Sequence, residues 1–509
     1  MASDSIIRVI SKPGVKRDGT LLEGENYVDS QWCRWQRGLP RKMGGYRSIN
    51  KYLSDIPRTL HAFTQDTLTY VHCGSATKVE SLYIDSAFNT SVINDRTPAA
   101  GYTADSRNMW QFDLMKTSVL GQIILGQVAP NLECICNGTG GALFYGTVTG
   151  TGALTNIALP AGGNAAGGVL ALEPYLTYFG DGGYFGWSVA NDPTNLTGAG
   201  SGGANITGQK IITGRQIRGG SSSPAGILWS ADSVIIASFV GGTPVFSFNT
   251  VSASSSIMSQ QSVVEYDGVF YWLGSDRFLQ FNGVVREIDN QMNANYFFDN
   301  LNYSYRQKVF GFAVPRFGEI WWCYPHGSST EPNRAIVYNV REGSWYDTAL
   351  PNSGRGAGFF PSIFRRPLMT GVTSSGTGYK LWIHEQGVDE VDGLNVNPLQ
   401  SYFETNEIAM PVMQGVNKGM LVLNVESDFV QAGEMTLQIK GRANARAPEV
   451  AGSVLTIPET ASSAQEQITN LKEQRRLLRF RFESNTVGGD YQMGHVLAHV
   501  SQGDGTMLG

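Results

Sequence analysis

The chain has 509 residues, of which 41% are hydrophobic and 16% charged, with a formal net charge of −5 and a pI near 5.8. This length allows about two to four domains and a core that needs neither disulfides nor metals. The slightly acidic balance excludes a globally basic nucleic-acid binder, and the lack of an apolar run of about 18 residues predicts that no segment spans a membrane.

The cysteines and histidines do not form a recognisable ligand set. The five cysteines are odd in number and scattered: Cys33, Cys73, Cys134, Cys136 and Cys323. Cys134 and Cys136 are too close for a zinc knuckle, and strand alternation places both on one face. His495 and His499 would share one face of a helix, but the sequence HVLAHV is typical of a strand. We therefore predict no metal site, no cofactor and no disulfide framework.

Residues 1–58 form a basic opening segment. Arg34, Arg37, Arg41 and Lys42 lie within nine residues, and the glycines and proline among and after them disfavour a helix. Two interpretations are open. The segment is either an extended arm whose arginines bind carboxylates of a partner, or a solvated first hairpin.

Residues 59–395 consist of short apolar, β-branched and aromatic runs that alternate with period two and end in turn residues. In the clearest hairpin, Val263–Tyr266 and Val269–Leu273 flank Asp267-Gly268. A large aromatic residue recurs about once per blade or half-blade. The pattern predicts an all-β fold, with a β-propeller of about five to seven blades. The Gly-rich stretches 149–168 and 197–208 are predicted to be loops, and one helix is predicted from Ile288 onward.

Residues 396–509 contain longer alternating strands joined by polar turns, which predicts a C-terminal β-sandwich-like domain. Within it, residues 465–476 are predicted to form a short helix or a turn. The molecule would then comprise a basic segment, a propeller body and a sandwich.

No catalytic constellation is visible. The turn around Asp181 is similar to the Asp-box of sialidase propellers but lacks its serine, and its tryptophan falls one residue late. Asp389, Glu390 and Asp392 are the paired carboxylates of the chain, and we expect them in a solvated turn rather than across a cleft. We predict no enzymatic activity and no catalytic residue.

The order of several phrases resembles a known family. These phrases include YVDSQWCRWQRGLPRKMGGYRSI (27–49), YLTYFGDGGYFGWSVANDPTNL (175–196), GILWSADSVIIASFVGGTPVFSF (226–248) and SVVEYDGVFYWLGSDRFLQFNGVVREI (262–288). From about residue 25 to 400 the chain resembles the tail nozzle or hub proteins of short-tailed bacteriophages (podoviruses), also called packaged-DNA stabilisation proteins.

The resemblance implies a virion protein of the tail, assembled in the host cytoplasm. Six copies would form a ring below the portal and its adaptor, retain packaged DNA and conduct it during ejection without binding it specifically. The propeller would be the outer body, and the two chain ends would meet in a platform on the adaptor. We therefore expect Arg34, Arg37, Arg41 and Lys42 to contact an acidic rim of the adaptor, with tail fibre or tailspike proteins as further partners.

Two alternatives remain at this stage. A virus-encoded glycan-binding or glycan-cleaving propeller would carry a cleft of carboxylates with tryptophan platforms. A head-to-tail adaptor fits less well, because such adaptors are usually short and helical.

Overall fold

The computed structural model describes residues 5–130, 141–218, 224–409, 419–459 and 468–503, and β-strands dominate it. Cys134 and Cys136 lie outside the described residues. Within them the helical elements are one α-helix, α1 (Ala294–Asn300), and three short 3-10 segments at Asp181–Gly183, Tyr303–Lys308 and Pro351–Ser353. The all-β prediction is confirmed.

The opening segment forms strands rather than a free arm. Its seven strands are β1 (Ser5–Val9), β2 (Lys12–Val15), β3 (Asn26–Tyr27), β4 (Asp29–Gln31), β5 (Cys33–Gln36), β6 (Leu39–Lys42) and β7 (Tyr46–Leu53). Strands β5 and β6 form a two-residue hairpin whose turn residues, Arg37 and Gly38, both have positive φ. Such a turn matches the twist of paired strands, which explains why glycine stands at position 38.

Within the described residues the propeller is built from seven sheets, of which six have four strands in meander order and the seventh has six strands. The first three blades are β8–β11 (Pro57–Gln65, Leu68–Ser75, Val79–Ile84, Asn94–Asp95), β12–β15 (Asn108–Thr117, Gly121–Pro130, Ala142–Thr147, Thr155–Ile157) and β16–β19 (Gly168–Leu172, Tyr175–Phe179, Tyr184–Trp187, Gly202–Asn205). The next three are β20–β23 (Ile211–Ile217, Ala225–Ser230, Val234–Phe239, Phe246–Ser252), β24–β27 (Val264–Tyr266, Val269–Leu273, Phe278–Phe281, Val285–Glu287) and β28–β31 (Phe310–Val314, Glu319–Tyr324, Arg334–Asn339, Ser344–Ala349). The first strand of each blade lies innermost, and the inner strand β8 contacts both its neighbour β12 and β32 of the last blade.

The seventh blade closes the ring with a strand from the beginning of the chain. Its strands β32 (Arg355–Phe359), β33 (Leu368–Val372) and β34 (Tyr379–His384) come from the end of the propeller, and β7 pairs antiparallel with β34 as the fourth. A hairpin of β35 (Glu390–Asp392) and β36 (Asn395–Asn397) extends this sheet beyond β7. The propeller therefore depends on contacts between residues more than 300 positions apart in the sequence.

Several local predictions are confirmed and others are wrong. The Val263–Leu273 hairpin forms as β24 and β25, with positive φ at Asp267 and Gly268. The Gly-rich stretches 149–168 and 197–208 are not entirely loops, because Thr155–Ile157 and Gly202–Asn205 are the outer strands of their blades. An outer strand is held by backbone hydrogen bonds on one side and needs few large side chains. The predicted helix is also shorter than its apolar pattern suggests.

The C-terminal region forms the predicted sandwich, in which two sheets share one core. Its strands are β37 (Ser401–Glu404), β38 (Ile408–Ala409), β39 (Met420–Ala432), β40 (Met435–Arg442), β41 (Val450–Ile457), β42 (Ile468–Arg475), β43 (Leu477–Ser484) and β44 (Asp490–Gln502). Buried and half-buried residues alternate strictly along β40, as expected for a strand with one face on the core. Residues 468–475, where a helix or turn was predicted, form the edge strand β42.

Strands from the opening segment complete both sandwich sheets. One sheet has the order β42-β39-β44-β6-β5, with β1 also on β44, and the other has the order β4-β37-β43-β40-β41, with β38 also on β43. The opening segment is therefore not a separate domain. It is part of the sandwich through β1, β4, β5 and β6, and part of the propeller through β7.

No helix among the described residues is long and apolar enough to cross a membrane.

Closure by β7 predicts that its buried side chains stabilise the propeller. Leu53 is 5% exposed and packs in the core between the seventh and first blades. We expect Leu53→Ala to lower the free energy of unfolding by about 2–5 kcal/mol, because it leaves a cavity there. Denaturant titration followed by tryptophan fluorescence measures this loss, with Asn50→Ala on the exposed side of the same strand as the control. Equal stability of the two variants would contradict closure by β7.

Candidate functional site: the joint between propeller and sandwich

The four basic residues predicted to face a partner lie in two different environments. Arg34 and Lys42 are 1% and 2% exposed, respectively, whereas Arg37 is exposed and Arg41 is partly exposed. The Lys42 Nζ donates a hydrogen bond to the Gly489 carbonyl at 2.6 Å, and burial lowers the pKa of Lys42. The prediction that Arg34 and Lys42 contact an adaptor is therefore wrong. Arg34 is directly opposite Arg41 and Cys33 is opposite Lys42, so Arg34 and Lys42 lie on opposite faces of the hairpin, and both faces are covered there.

Arg34 is the centre of a buried ion-pair cluster that joins the opening segment to the propeller. Its Nε lies 2.8 Å from Oε1 of Glu319 on β29, and its Nη1 donates to Glu385, which follows β34, at 3.0 Å. The Glu319 carboxylate also accepts hydrogen bonds from the Tyr346 hydroxyl at 2.7 Å and the Trp321 indole at 2.9 Å. Burial alone would lower the pKa of Arg34, but the two carboxylates outweigh it and raise the pKa, so the guanidinium stays charged.

A second buried cluster joins the same two parts of the chain. Arg17 Nε lies 2.9 Å from Oδ1 of Asp347 on β31, and Arg334 on β30 donates to the other oxygen of that carboxylate at 2.8 Å. Asp347 is 1% exposed. Burial would raise its pKa, but the two arginines hold the pKa of Asp347 below its usual value. A charge in this position is stable only while both arginines are in place.

Aromatic packing accompanies these ion pairs. Trp35 on β5 lies 5.0 Å from the Tyr346 ring, and Trp32 lies 6.2 Å from Trp321. These residues belong to the largest core cluster, which also contains Phe403 and other inward-facing residues of both sandwich sheets. The sandwich, the opening segment and the sixth and seventh blades therefore share one continuous core.

The sequence alone did not reveal this joint. The partners of Arg34 lie 285 and 351 positions away, and Asp347 lies 330 positions from Arg17. No periodic pattern links residues at such distances, and the acids Glu319, Asp347 and Glu385 occur singly. The one available signal was that the basic residues stand beside Trp32 and Trp35, which are unusual neighbours for a solvated arm.

The propeller axis is closed near the start of the inner strands by buried amide side chains. The Gln111 Nε2 donates to the Gly167 carbonyl at 2.5 Å, to the Ile212 carbonyl at 3.0 Å and to Gln260 Oε1 at 3.0 Å. The adjacent Gln261 donates to Thr59 Oγ1 at 2.6 Å. These contacts connect blades on opposite sides of the axis. They fill it with protein atoms at this level.

A buried His–Arg pair lies between the first and second blades. Arg96 is 1% exposed and donates to the carbonyls of Gly150 and Thr147 at 2.6 and 3.1 Å. His72 is also 1% exposed, with its Nε2 3.4 Å from the Arg96 guanidinium. Burial, together with this positive charge, lowers the pKa of His72 well below its usual value. His72 is therefore neutral in the folded protein at neutral pH.

The carboxylates considered for catalysis have structural contacts. Asp181 lies 3.8 Å from the Lys210 ammonium, in the tight turn between β17 and β18. Asp389 accepts a hydrogen bond from the Gly488 amide at 2.8 Å, and Glu390 accepts one from Asn352 at 2.6 Å. Asp392 is paired with Lys380 at 2.7 Å. They therefore do not form the solvated turn that the sequence suggested.

The histidines of the C-terminal strand lie on β44, as their sequence predicted. The His499 Nε2 lies 2.5 Å from the Glu426 carboxylate on the neighbouring strand. In the part of the chain that the structure describes, no group of three or more His, Cys, Asp or Glu side chains is placed to hold a metal ion.

Comparison with known proteins gives similarity at the level of the fold. No protein-family model matches the chain, and no curated protein sequence matches it. Among solved structures, an exo-β-1,3-galactanase from Phanerochaete chrysosporium is similar with a TM-score of 0.33 and 11% identity, over 90% of this chain and 100% of that one. The WD40 β-propeller domain of Doa1 is similar with a TM-score of 0.40 and 11% identity, over 67% of this chain and 97% of that one. The successive meander sheets of the described residues themselves show that the chain is a β-propeller protein.

The Arg34 cluster predicts a large difference between two arginines that are close in sequence. We expect Arg34→Met to lower the free energy of unfolding by about 3–5 kcal/mol, because it leaves Glu319 charged and unpaired in the core. The control Arg37→Met should change it by less than about 0.5 kcal/mol. Adding Glu319→Gln to Arg34→Met should restore part of the loss. Chemical denaturation checks all three, and a neutral effect of Arg34→Met would contradict the buried pair.

The His72 environment predicts a pH dependence with a definite sign. The pKa of His72 in the folded protein lies below its unfolded value of about 6.5. Just below pH 6.5 the imidazole therefore binds a proton only in the unfolded chain. The free energy of unfolding consequently falls as the pH is lowered. We expect His72→Phe to reduce the slope of unfolding free energy against pH by up to about 1.4 kcal/mol per pH unit below pH 6.5. The exposed His495→Gln serves as the control. An unchanged slope in His72→Phe would show that His72 is protonated in the fold.

Proposed function

We propose that the chain is a structural virion protein, a tail nozzle or hub subunit of a short-tailed bacteriophage. In this proposal several copies, most simply six, form a ring below the portal and its adaptor. The ring closes the tail end, retains packaged DNA and later forms the conduit for ejection. Its location would be the tail of the particle, after assembly in the host cytoplasm.

The observation that carries this proposal is the way the two ends of the chain meet. The family resemblance implies a propeller body and a platform made by both ends. In this chain β1 pairs with β44 from Ser5 to Val9, and β4 pairs with β37. A sandwich assembled from the first and last strands, beside a propeller, is the arrangement expected for such a subunit. It supports the proposal together with the order of the sequence phrases.

Because the axis of the single propeller is closed, the proposed channel for DNA lies at the centre of a ring of copies and not inside one propeller. Duplex DNA is far wider than the space around Gln111, whose amide reaches carbonyls on two other blades. DNA would therefore pass along the axis of a ring. Six copies with a net charge of −5 each would carry −30, which disfavours tight binding of phosphate to the lumen.

Of the four basic residues, only Arg37 and Arg41 reach the surface, so the proposed contact with the adaptor is limited to these two. The β5–β6 turn is held in place because Glu342 accepts hydrogen bonds from the Arg37 and Gly38 amides at 2.8 and 3.0 Å. Arg41 is steadied by Gln36, whose side-chain oxygen accepts its hydrogen bond at 2.8 Å. A turn fixed in this way presents two guanidinium groups at the surface with little loss of chain entropy on binding.

We expect Arg37→Glu with Arg41→Glu to block attachment of the subunit to portal–adaptor complexes while the protein stays folded. Each exposed contact contributes only about 0.2–1 kcal/mol, but a ring multiplies it over all copies. The control is Lys116→Glu with Arg286→Glu, an equal charge change at two exposed sites on propeller blades. Co-sedimentation with adaptor-loaded heads measures attachment, and images of the product count the subunits.

Two results would contradict the proposal. A protein that stays monomeric and never joins adaptor-loaded heads would exclude a ring subunit. Binding or hydrolysis of a host polysaccharide by that monomer, lost in Asp181→Asn or Asp389→Asn, would support the glycan-binding or glycan-cleaving alternative instead. We propose that the chain works without catalysis, so that turnover test is expected to be negative.

A further inference from the structure

A basic cleft lies at the outer edge of the seventh blade, where the first blade adjoins it. It has a volume of about 560 Å³, and five consecutive residues of β7, Arg47 to Lys51, line one wall. Phe88 of the first blade and Leu394 at the tip of the β35–β36 hairpin line the other sides. Ile383 of the neighbouring strand β34 also lines the cleft, which therefore adjoins the stretch of β7 between Ser48 and Tyr52, where its pairing with β34 is irregular.

This edge of β7 is unpaired over most of its length in the described part of the chain. On one side β34 pairs with Tyr46 to Ser48 and again with Tyr52 and Leu53 of β7, and a bulge between them leaves Ile49, Asn50 and Lys51 without a paired residue on β34. On the other side β35 pairs in parallel with Tyr46 and Arg47 alone. From Ser48 onward no described strand pairs with β7 on this side, and residues 48 to 51 of this stretch line the cleft. Exposed strand edges of this kind are templates for a further strand.

The two charged residues that line the cleft are positive, and Asp85 beside it already accepts hydrogen bonds from Asn89. Arg47 and Lys51 line it, and the Arg366 guanidinium lies over the Phe88 ring at 5.3 Å. None of the three is within 4.0 Å of a described carboxylate oxygen. The nearby Asp392 is already neutralised, because it accepts hydrogen bonds from Ser48 at 2.6 Å and Lys380 at 2.7 Å.

The rim of the cleft is apolar and fully open. Leu394 is 101% exposed and Val396 46% exposed, both on the hairpin that ends at the cleft. Aromatic faces, in contrast, are occupied. Phe88 packs edge-on to Phe364 and under Arg366, and Lys380 lies over Tyr52 at 4.6 Å. Single-stranded nucleic acids bind through aromatic faces on which bases stack, so this surface suits them poorly.

We propose that the cleft binds an extended acidic segment of a partner protein, which adds as a strand to the free edge of β7. Its backbone would pair with β7 after Ser48, its carboxylates would lie near Arg47 and Lys51, and an apolar side chain would contact Leu394. Backbone pairing supplies affinity in this mode, and the alternate side chains supply selectivity. The inference does not depend on the proposed role in a virus tail.

The test uses the full chain and a fluorescein-labelled peptide of alternating glutamate and valine, eight residues long. Fluorescence anisotropy should show binding that weakens with salt. We expect Arg47→Glu with Lys51→Glu to weaken it by at least about fivefold, as expected for two exposed ion pairs. The control, Arg8→Glu with Arg286→Glu, should bind as the parent does. If the variant with two glutamates fails to fold, Arg47→Gln with Lys51→Gln is used in its place.

Two further probes separate strand addition from simple charge attraction. The same peptide with alternate backbone amides N-methylated keeps its charge but cannot pair, and we expect it not to bind. If the N-methylated peptide binds as well as the unmodified peptide, the partner does not add as a strand. If the unmodified peptide does not bind at all, the whole proposal is wrong. Tighter, Arg47-dependent binding of a DNA oligonucleotide or a sulfated polysaccharide would assign the cleft to that ligand instead. If the protein associates with itself and the charge-reversed variant does not, the cleft binds a second copy of the chain. Binding of a nucleic acid, a polysaccharide or a second copy would each overturn the proposal.

Discussion

The buried ion pair between Arg34 and the glutamates at 319 and 385 is the interaction on which the joint between the two halves depends. It requires β5 to lie against the sixth blade, and it is stable only with both carboxylates present. From that fixed point the chain continues through the β5–β6 hairpin into the sandwich and then into β7. One short segment thereby joins the sandwich sheets and closes the propeller ring.

This sharing has consequences for what each part can do. The seventh blade is closed by β7, which follows the sandwich strand β6 directly in the chain. Separating β7 from β34 would therefore also disturb the sandwich, so the ring resists local opening. The side chains that make the joint are removed from solvent, so they cannot serve as contacts for another molecule. Of the opening segment, the tip of the β5–β6 hairpin and part of β7 stay outside the joint, and these are the surfaces for which we propose partner contacts. The propeller axis is likewise filled by protein atoms around Gln111.

The sequence predicted the elements better than their partners. Period-two alternation and turn residues identified the propeller strands and the sandwich, because these signals act between neighbours in the chain. They could not show that Tyr46–Leu53 pairs with Tyr379–His384, since backbone pairing over that separation leaves no local pattern. The same limit explains the error at Arg34 and Lys42. A basic run looks solvated until its buried carboxylates are located, and Glu319 carries no signal of its own. Gly-rich outer strands were missed because they contribute backbone rather than side chains.

Hydrogen exchange of the amides in β7 tests the central claim most directly. If residues 46–53 close the propeller, their paired amides exchange as slowly as those of β34, through opening of the whole blade. The amides of the β5–β6 hairpin that pair within the sandwich sheet would be protected in the same way as those of β44. Rapid exchange throughout residues 33–53, at the rate of exposed loops and with β34 and β44 still protected, would show a free arm and contradict the account.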